Sequence, residues 1–330
     1  MPGGVSAGRG VLSTPPRVTV RVPAKANLFL AVRDRRPDGY HEVATVMQSV
    51  SLYDELRVAL VGPPARGHHP ATRRRMRVEL WHDPVDGLPS GLANLAVRAA
   101  HALGAATGVC DLAVTGGRES ARTVIDLAKD IPVAAGMAGG SADAAGALVA
   151  LNRLWGCDLS RRELCGVAAS LGSDVPFCVV GGTALATGRG DALAPVLCRA
   201  TFHWVVCEAF EPLDTAAVYR SWDRHCRPSG LEPHPVLEAL RDEDPAVLGR
   251  VLHNDLEAAA FALRPQLAEH KAALLDAGAL GAVLCGSGPT LLALAGGDDE
   301  ARRLAAEVAG RFKQVAVARS PAGGPELRES

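Results

Sequence analysis

Lysine is scarce in this chain. Of its 35 basic residues only Lys25, Lys129, Lys271 and Lys313 are lysines, so arginine carries most of the positive charge. A lysine kept against this bias is a candidate functional group, because its ammonium is a compact point charge with an adjustable pKa. Lys25 and Lys129 adjoin motifs described below, whereas Lys271 and Lys313 are predicted to be solvated residues of a helix face and a turn.

A strong net charge and a long apolar run are also missing. The formal net charge is −1, which gives no overall field to attract nucleic acid or an anionic membrane. No stretch approaches the length of a membrane span, and residues 1–16 lack the apolar core of a signal peptide. The sequence therefore predicts a cytoplasmic protein with neither a nucleic-acid nor a membrane partner.

Metal-type patterns are absent from the sequence as well. The eight cysteines form no CxxC pair and show no metal-type spacing with histidine, so they are predicted to be reduced, mostly buried thiols. Carboxylates do not cluster in the manner of a metal cage. No protein metal ligand is predicted.

Three common nucleotide-binding signatures can be excluded. A Walker A loop needs a glycine followed by lysine, and no glycine in this chain precedes a lysine. A Rossmann fingerprint needs GxGxxG in the first strand-to-helix unit, whereas the glycine-rich stretch here lies in mid-chain and lacks that spacing. Protein-kinase signatures such as DFG are missing too.

The length and composition predict a folded chain of about two domains. It has 330 residues, of which 48% are hydrophobic. Residues 1–16 are rich in Gly, Ser and Pro and are predicted to be a disordered extension. An N-terminal domain is predicted over 17–190 and a C-terminal domain over 191–330, where strands alternate with helices in a split βαβ order.

The glycine-rich stretch Ile131-PVAAGMAGGSADAA precedes a predicted helix. Ala144, Leu148, Leu151 and Trp155 recur at spacings of four, three and four, which places them on one helical face. Small residues before a helix let the backbone approach a phosphate, and the helix start supplies free amides and a positive dipole end. An alanine-rich helix with a flexible cap is the structural alternative.

Two further segments decide between these interpretations. Together with Pro23-AKANLFL and Gly281-AVLCGSGPTLLAL, the glycine-rich stretch resembles the three ordered motifs of the GHMP kinases. Within that superfamily, Asp38-GYHEVATVMQSVSLYDEL and Gly172-SDVPF resemble the diphosphocytidyl-methylerythritol kinases. The resemblance runs from about Val18 to Ala318.

The resemblance implies an α+β fold of two domains, the first like domain 2 of ribosomal protein S5 and the second a ferredoxin-like split βαβ domain. It implies that MgATP phosphorylates the 2-hydroxyl of 4-diphosphocytidyl-2-C-methyl-D-erythritol in the non-mevalonate (methylerythritol phosphate) pathway of isoprenoid biosynthesis. Mg²⁺ would enter with the nucleotide phosphates. Homoserine and mevalonate kinases share the three broad motifs and remain alternatives, as does a catalytically silent ligand sensor.

The resemblance assigns the chemistry to Lys25 and Asp174. Asp174 would be the general base that takes the proton of the acceptor hydroxyl, and Lys25 would orient it and stabilise charge on the transferring phosphoryl group. A turn aspartate and an exposed strand-end lysine are the structural alternatives.

The resemblance places the remaining candidates in two groups. Asn94 and Lys129 would lie near adenine, with Asp130 less certain. Ser141 would begin the helix after the loop and could contact a phosphate or metal, or else be a simple N-cap. The nucleotide group consists of Asn94, Lys129, Pro132, Ala134, Ala135, Gly136, Met137, Ala138, Gly139, Gly140, Ser141 and Ala142. The substrate group consists of Asn27, Tyr40, His41, Asp174, Thr215 and Tyr219.

Within the substrate group, Tyr40 and His41 resemble a cytosine reader, in which an aromatic ring stacks and histidine meets the base edge. Tyr219 would be the opposing aromatic or else a core tyrosine. Asn27 would position the acceptor or else cap a turn.

The phosphate loop departs from the family at three alanines. Ala134, Ala138 and Ala142 stand where the family commonly has glycine or serine. The added methyl groups matter only where the backbone adopts a positive φ or touches a phosphate.

Overall fold

The computed structural model describes residues 16–61, 74–112 and 121–328. The predicted disordered extension, residues 1–16, lies outside this range except for its last residue. Strands and helices alternate along the described chain, and the strands form two sheets. The overall class is therefore mixed α and β, as predicted.

The first part of the chain forms a mixed sheet with helices packed against it. Its strands are β1 (Arg17–Arg35), β2 (His41–Val61), β3 (Arg74–His82), β4 (Cys110–Leu112), β5 (Ala121–Ala128), β6 (Thr183–Thr187) and β7 (Ala192–Pro195). Its helices are α1 (Leu95–Thr107), α2 (Gly139–Trp155), α3 (Arg161–Ala169) and α4 (Val175–Val180). The main strand order is β1-β2-β5-β3-β4, and β6 pairs with both β2 and β7.

The later part forms a second sheet and returns twice to the first. Its elements are β8 (Phe202–Glu208), α5 (Thr215–His225), α6 (His234–Asp242), α7 (Pro245–Val251), β9 (His253–Asn254), α8 (Glu257–Leu263), α9 (Gln266–Asp276), β10 (Gly281–Leu284), β11 (Leu291–Ala295), α10 (Asp298–Val308), β12 (Gln314–Ser320) and β13 (Glu326–Arg328). The antiparallel order β10-β11-β8-β12 confirms the predicted split βαβ layer.

A long antiparallel hairpin of β1 and β2 is the centre of the first sheet. In the sequence, Val18, Val20 and Val22 alternate with Thr19 and Arg21, which predicts a half-buried strand, and Val20 and Val22 are fully buried. Asn27 to Val32 form a second apolar run in the sequence, but β1 continues through both segments. Irregularities in pairing between Pro23 and Ala24 and again after Asn27 let one strand change its bend without ending.

Helix α2 packs against this hairpin, as its periodicity predicted. Ala144, Leu148 and Leu151 are fully buried in the first core, and the Trp155 Nε1 donates to Thr123 Oγ1 at 3.2 Å. Gly146 brings the helix close to the sheet, because a Cβ there would lie 2.9 Å from a Leu56 methyl carbon. The start of α2 is thereby held over the middle of β1.

The two sheets are tied together through β1. Strand β9 pairs with β1 in parallel and β13 pairs with it in antiparallel fashion, although both lie in the later part of the chain. Conversely, β7 pairs with β6 in the first sheet just beyond residue 190. The division into 17–190 and 191–330 stays a prediction.

Two minor expectations can be compared with the structure. The seven cysteines whose side chains are described are free thiols, but the prediction that they are mostly buried was wrong: only Cys178, Cys207 and Cys285 are buried, and the other four are partly exposed. The prediction that Lys271 is solvated was wrong: its side chain is about a quarter exposed and its ammonium lies 2.6 Å from Glu257 Oε2. Lys313 is more exposed and pairs with Glu208 at 2.7 Å.

Candidate active site

A cavity of about 1050 Å³ lies where the phosphate loop, β1 and α5 meet. Fourteen of the predicted site residues line it: Lys25, Asn27, Tyr40, His41, Ala134, Ala135, Gly136, Ala138, Gly139, Gly140, Ser141, Asp174, Thr215 and Tyr219. The structure thus brings both predicted catalytic residues and all predicted substrate residues to one cavity. Their roles remain predictions at this point.

Lys25 connects two polar side chains at the cavity wall. Its Nζ donates to Asn27 Oδ1 at 3.0 Å and lies 3.3 Å from Asp174 Oδ2. Asn27 in turn donates to Thr45 Oγ1 at 2.8 Å, and that hydroxyl donates to the Phe29 carbonyl at 2.6 Å. Because each partner is itself fixed, the buried ammonium has a defined position beside the carboxylate.

Asp174 occupies the N-cap position of α4 without acting as a cap. Its side chain makes no capping hydrogen bond to the described α4 backbone and is about one-third exposed, toward the cavity. A turn or cap role was the structural alternative for this residue. The carboxylate is instead available both to Lys25 and to a ligand.

The phosphate loop joins the lysine strand through its backbone. The Lys25 amide donates to the Met137 carbonyl at 3.1 Å, so the loop and β1 share a hydrogen bond. Ala134 and Ala138 have positive φ values of 53° and 56°, whereas Ala142 is an ordinary residue of α2. Two of the three alanine departures therefore fall where glycine would be less strained.

The third motif, Gly281-AVLCGSGPTLLAL, packs beside the phosphate loop. A Cβ on Gly136 would lie 2.0 Å from the Cys285 carbonyl oxygen, and a Cβ on Gly286 would lie 3.1 Å from the Gly136 oxygen. The buried Asn254 holds this turn from behind, since its Nδ2 donates to the Leu284 and Gly286 carbonyls at 2.8 and 2.7 Å. Glycine is required for this contact between backbones.

The third motif also reaches α5. Thr215, the first residue of that helix, shares a 2.8 Å hydrogen bond between its hydroxyl and that of Ser287. Both residues line the cavity. The start of α5 is therefore linked to the turn that supports the phosphate loop.

Aromatic residues form part of the cavity wall. The His41 and Tyr219 rings are stacked with centroids 5.1 Å apart, and His41 Nε2 lies 2.7 Å from Asp223 Oδ1. Burial raises the pKa of Tyr219 to about 12, and the charge of Asp174 acts in the same direction, so its phenol stays neutral. Tyr40 is 60% exposed, with the Arg189 guanidinium 5.4 Å from its ring centroid.

Five predicted nucleotide residues do not line the cavity: Asn94, Lys129, Pro132, Met137 and Ala142. Asn94 is buried as the N-cap of α1, where its Oδ1 accepts from the Ala96 amide at 2.9 Å. Met137 and Ala142 are fully buried, and Pro132 is half-buried.

Lys129 lies in a buried charge cluster rather than at the cavity. Its ammonium contacts the carboxylate of Asp54 and lies 3.0 Å from Asp143 Oδ2, with the lysine side chain 3% exposed. Asp54 Oδ1 also accepts from the amides of Asp130 and Ile131 at 2.8 and 2.9 Å. The cluster therefore fixes the segment that enters the phosphate loop.

Several residues of this site were not predicted from the sequence. Thr45, Asp223 and Asn254 act through contacts between distant segments, so no local pattern marks them. Arg189 lies in a Gly-Arg-Gly step that could have been recognised as a turn beside a ligand.

The described ranges contain neither a membrane-spanning helix nor a cluster of metal-ligand side chains. No helix within 16–61, 74–112 or 121–328 is long and apolar enough to cross a bilayer. Over the same ranges, no group of three or more His, Cys, Asp or Glu side chains is arranged to hold a metal ion. Arrival of a cation bound to a ligand's phosphates is compatible with this arrangement.

Family models match both parts of the chain. The model described as GHMP kinases N terminal domain matches residues 90–182, and the model described as GHMP kinases C terminal matches residues 236–314. A solved homoserine kinase from Cytophaga hutchinsonii superposes with a TM-score of 0.70 at 18% identity, covering 96% of this chain and 99% of that one, and supports the fold alone. The fold and site define a GHMP kinase.

Two relatives of higher sequence identity indicate the family within the GHMP kinases. The 4-diphosphocytidyl-2-C-methyl-D-erythritol kinase of Saccharopolyspora erythraea is 46% identical over 95% of this chain and 94% of its own length. A solved 4-(cytidine 5'-diphospho)-2C-methyl-D-erythritol kinase is 34% identical with a TM-score of 0.72, covering 92% of this chain and all of that one. The chain belongs to the 4-diphosphocytidyl-2-C-methyl-D-erythritol kinase family, which confirms the predicted fold and resemblance.

Proposed function

We propose that this protein transfers the γ-phosphoryl group of ATP to the 2-hydroxyl of 4-diphosphocytidyl-2-C-methyl-D-erythritol, a step of the non-mevalonate pathway to isoprenoids. One observation carries the proposal: Lys25 and Asp174 line the same cavity as the phosphate loop and the aromatic residues Tyr40, His41 and Tyr219. Family membership supplies the reaction class, and the cavity supplies one place for both substrates.

Asp174 is the general base of the proposed reaction. Its carboxylate accepts the hydroxyl proton as the acceptor oxygen forms a bond to the γ-phosphorus and the bond to the ADP oxygen breaks. Lys25 orients this carboxylate and stabilises charge on the acceptor oxygen and on the transferring group. Asn27 holds the Lys25 ammonium in place, which leaves the lysine preorganised before substrate binds.

The phosphates of ATP belong at the loop that opens α2. The first turn of this 17-residue helix presents free amides and the positive end of the dipole to the cavity. Ser141 lines the cavity and offers a hydroxyl at the same place. Mg²⁺ would arrive on the nucleotide, where it neutralises phosphate charge, and the protein supplies the backbone amides and Lys25 around it.

The cytidine part of the substrate belongs beside Tyr40 and His41. Tyr40 has an exposed ring at the cavity rim, and His41 lies beside it with its polar edge fixed by Asp223. An exposed aromatic face next to an oriented imidazole suits a base that stacks and forms hydrogen bonds. A homoserine or mevalonate kinase has no use for such a pair, so this feature favours the proposed substrate.

Separate assays of three candidate acceptors test the proposal directly. The purified protein is incubated with MgATP and, separately, with the cytidine substrate, homoserine or mevalonate, and ADP formation is recorded. We expect turnover with the cytidine substrate alone. Turnover of homoserine or mevalonate alone would assign a different GHMP activity, and ligand binding without any turnover would indicate a sensor.

A further inference from the structure

The His41 ring is held by one face of α5. Tyr219, Trp222 and Asp223 are spaced by three and four residues, which places them on the same side of the helix. Tyr219 stacks on the ring with an interplanar angle of 20°, and Trp222 contacts it edge-on with centroids 5.4 Å apart. Asp223 then fixes the remaining freedom, the rotation of the ring in its plane.

The contact with Asp223 decides which ring nitrogen carries a proton. A carboxylate only accepts hydrogen bonds, so the His41 nitrogen 2.7 Å away, Nε2, must be the donor. Within the described part of the chain, Nδ1 has no hydrogen-bond partner. In the neutral imidazole, Nδ1 is therefore a free acceptor. The histidine side chain is 7% exposed, and the residue lines the cavity, so a ligand bound there would cover this acceptor.

An acceptor at this place distinguishes the two pyrimidine bases. Cytosine carries an amino group at C4, which donates, whereas uracil carries a carbonyl at C4, which accepts. Nδ1 can accept a hydrogen bond from the cytosine amino group. Opposite uracil it would face a carbonyl oxygen, so two acceptors would meet with no hydrogen between them. An unpaired buried acceptor costs more than a good hydrogen bond contributes, so exclusion of uracil is the larger effect.

We propose that Asp223 is a specificity-determining positioning residue, which holds His41 as its Nε2–H tautomer and so makes the cavity select cytidine over uridine diphospho-substrates. The inference rests on the proposed function, since it takes the ligand beside His41 to be the substrate's base. Asp223 acts through His41 and does not itself take part in phosphoryl transfer.

Two variants at this position test the proposal. Asp223→Asn keeps the shape but can either donate or accept, and Asp223→Ala removes the partner, so both release the tautomer. The ratio of kcat/KM for the cytidine substrate to that for its uridine counterpart should fall about tenfold or more. The KM for ATP should stay unchanged. Asp242→Asn removes an exposed carboxylate at the end of α6 and is the charge-matched control, expected to keep the wild-type ratio.

If Asp223 had a merely structural role, its variants would turn over the cytidine and uridine substrates with equal losses. The ratio of the two kcat/KM values would then stay unchanged, which would overturn the proposal. Nitrogen-15 NMR of histidine-labelled protein gives a readout independent of activity, with the His41 signals assigned through His41→Gln. Wild type should show the Nε2–H tautomer, and Asp223→Ala should show both tautomers in exchange. A wild-type Nδ1–H signal would contradict the inference about Asp223 and leave the proposed kinase activity untouched. If the wild-type protein turned over neither the cytidine nor the uridine substrate, the proposed function itself would be overturned.

Discussion

The ammonium of Lys25 lies 3.3 Å from the carboxylate of Asp174, although one side chain comes from β1 and the other from the start of α4. The lysine is buried and the aspartate is partly open to the cavity, at 5% and 32% side-chain exposure. This asymmetry suits a pair in which the lysine is preorganised and the carboxylate meets a substrate.

The first prediction separates the roles in this pair. Asp174→Asn keeps the shape but cannot accept the hydroxyl proton, so kcat should fall about 10²–10⁴-fold while both ligands still bind. Lys25→Met should also reduce kcat severely. Because the two groups act as one unit, the double variant should be little worse than the poorer single variant. Steady-state kinetics on folded proteins measures this, and fully multiplicative losses would contradict the coupled pair.

The second prediction concerns the exposed ring of Tyr40. Tyr40→Ala should weaken binding of the cytidine substrate by about 1–3 kcal/mol through loss of stacking, with ATP affinity nearly unchanged. Tyr40→Phe keeps the ring and is the control, expected to bind like wild type. Calorimetry with each ligand decides the point: a Tyr40→Ala protein with wild-type substrate affinity removes this residue from the pocket.

The third prediction uses the contrast between two adjacent glycines. Gly140 is exposed at the cavity, and a Cβ added there would meet only a Leu95 methyl carbon, at 3.4 Å. A Cβ on Gly139 would instead lie 3.1 Å from Ile131 and 3.2 Å from the Lys129 ammonium. Gly140→Val should therefore keep the fold and impair MgATP binding. Gly139→Val should lower the free energy of unfolding as well.

The control for this contrast is Gly166→Val, an exposed position of α3 with nothing within 4 Å of an added Cβ. It should bind MgATP and unfold like wild type. Unchanged ATP binding by a folded Gly140→Val protein, measured by calorimetry, would mean that the loop is structural and that the triphosphate lies elsewhere.

Much of this architecture follows from local pattern. The four-three-four spacing predicted one face of α2, which is buried, and the alternation at Val20 and Val22 predicted the start of β1. The three motifs carry enough sequence information to identify the family, and the structure places residues of each around one cavity.

Other features depend on pairing between distant segments. Asn254 supports the third motif only because β9 lies beside β1, and Asp223 matters only because α5 reaches His41. Neither residue has a local signature. For Lys129 the difficulty is different, since the resemblance implied a position near adenine, whereas its ammonium lies among buried carboxylates.

The fourth prediction tests the strained alanine before α2. Ala138 has a φ of 56°, a conformation that costs an alanine about 1–2 kcal/mol and costs glycine almost nothing. Ala138→Gly should therefore leave the free energy of unfolding unchanged or raise it, because relief of strain offsets the greater entropy of the unfolded chain. Ala272→Gly, at an exposed position within α9, should instead lose about 1 kcal/mol. Equal losses in urea unfolding would contradict the assignment of strain.

The fifth prediction concerns the buried cluster of Lys129, Asp54 and Asp143. Burial would lower the pKa of Lys129, but the charges of Asp143 and Asp54 outweigh it and raise that pKa, so the lysine stays charged. Lys129→Met should cost about 3–5 kcal/mol of stability, because it leaves two buried carboxylates without their partner. Urea unfolding at neutral pH measures the loss.

The pH dependence of the same cluster gives a sharper test. Burial and the neighbouring charge of Asp54 raise the pKa of Asp143 well above its ordinary value, despite the opposing charge of Lys129. Ionisation of Asp143 therefore opposes folding: its contribution to stability should fall as pH rises from the unfolded value, near 4, through the folded one. Asp143→Asn should abolish this contribution, so the variant should gain stability relative to wild type as pH increases over that window. The free energy of unfolding of both proteins is measured across this pH range. A constant difference between the two proteins would show that Asp143 keeps an ordinary pKa in the cluster.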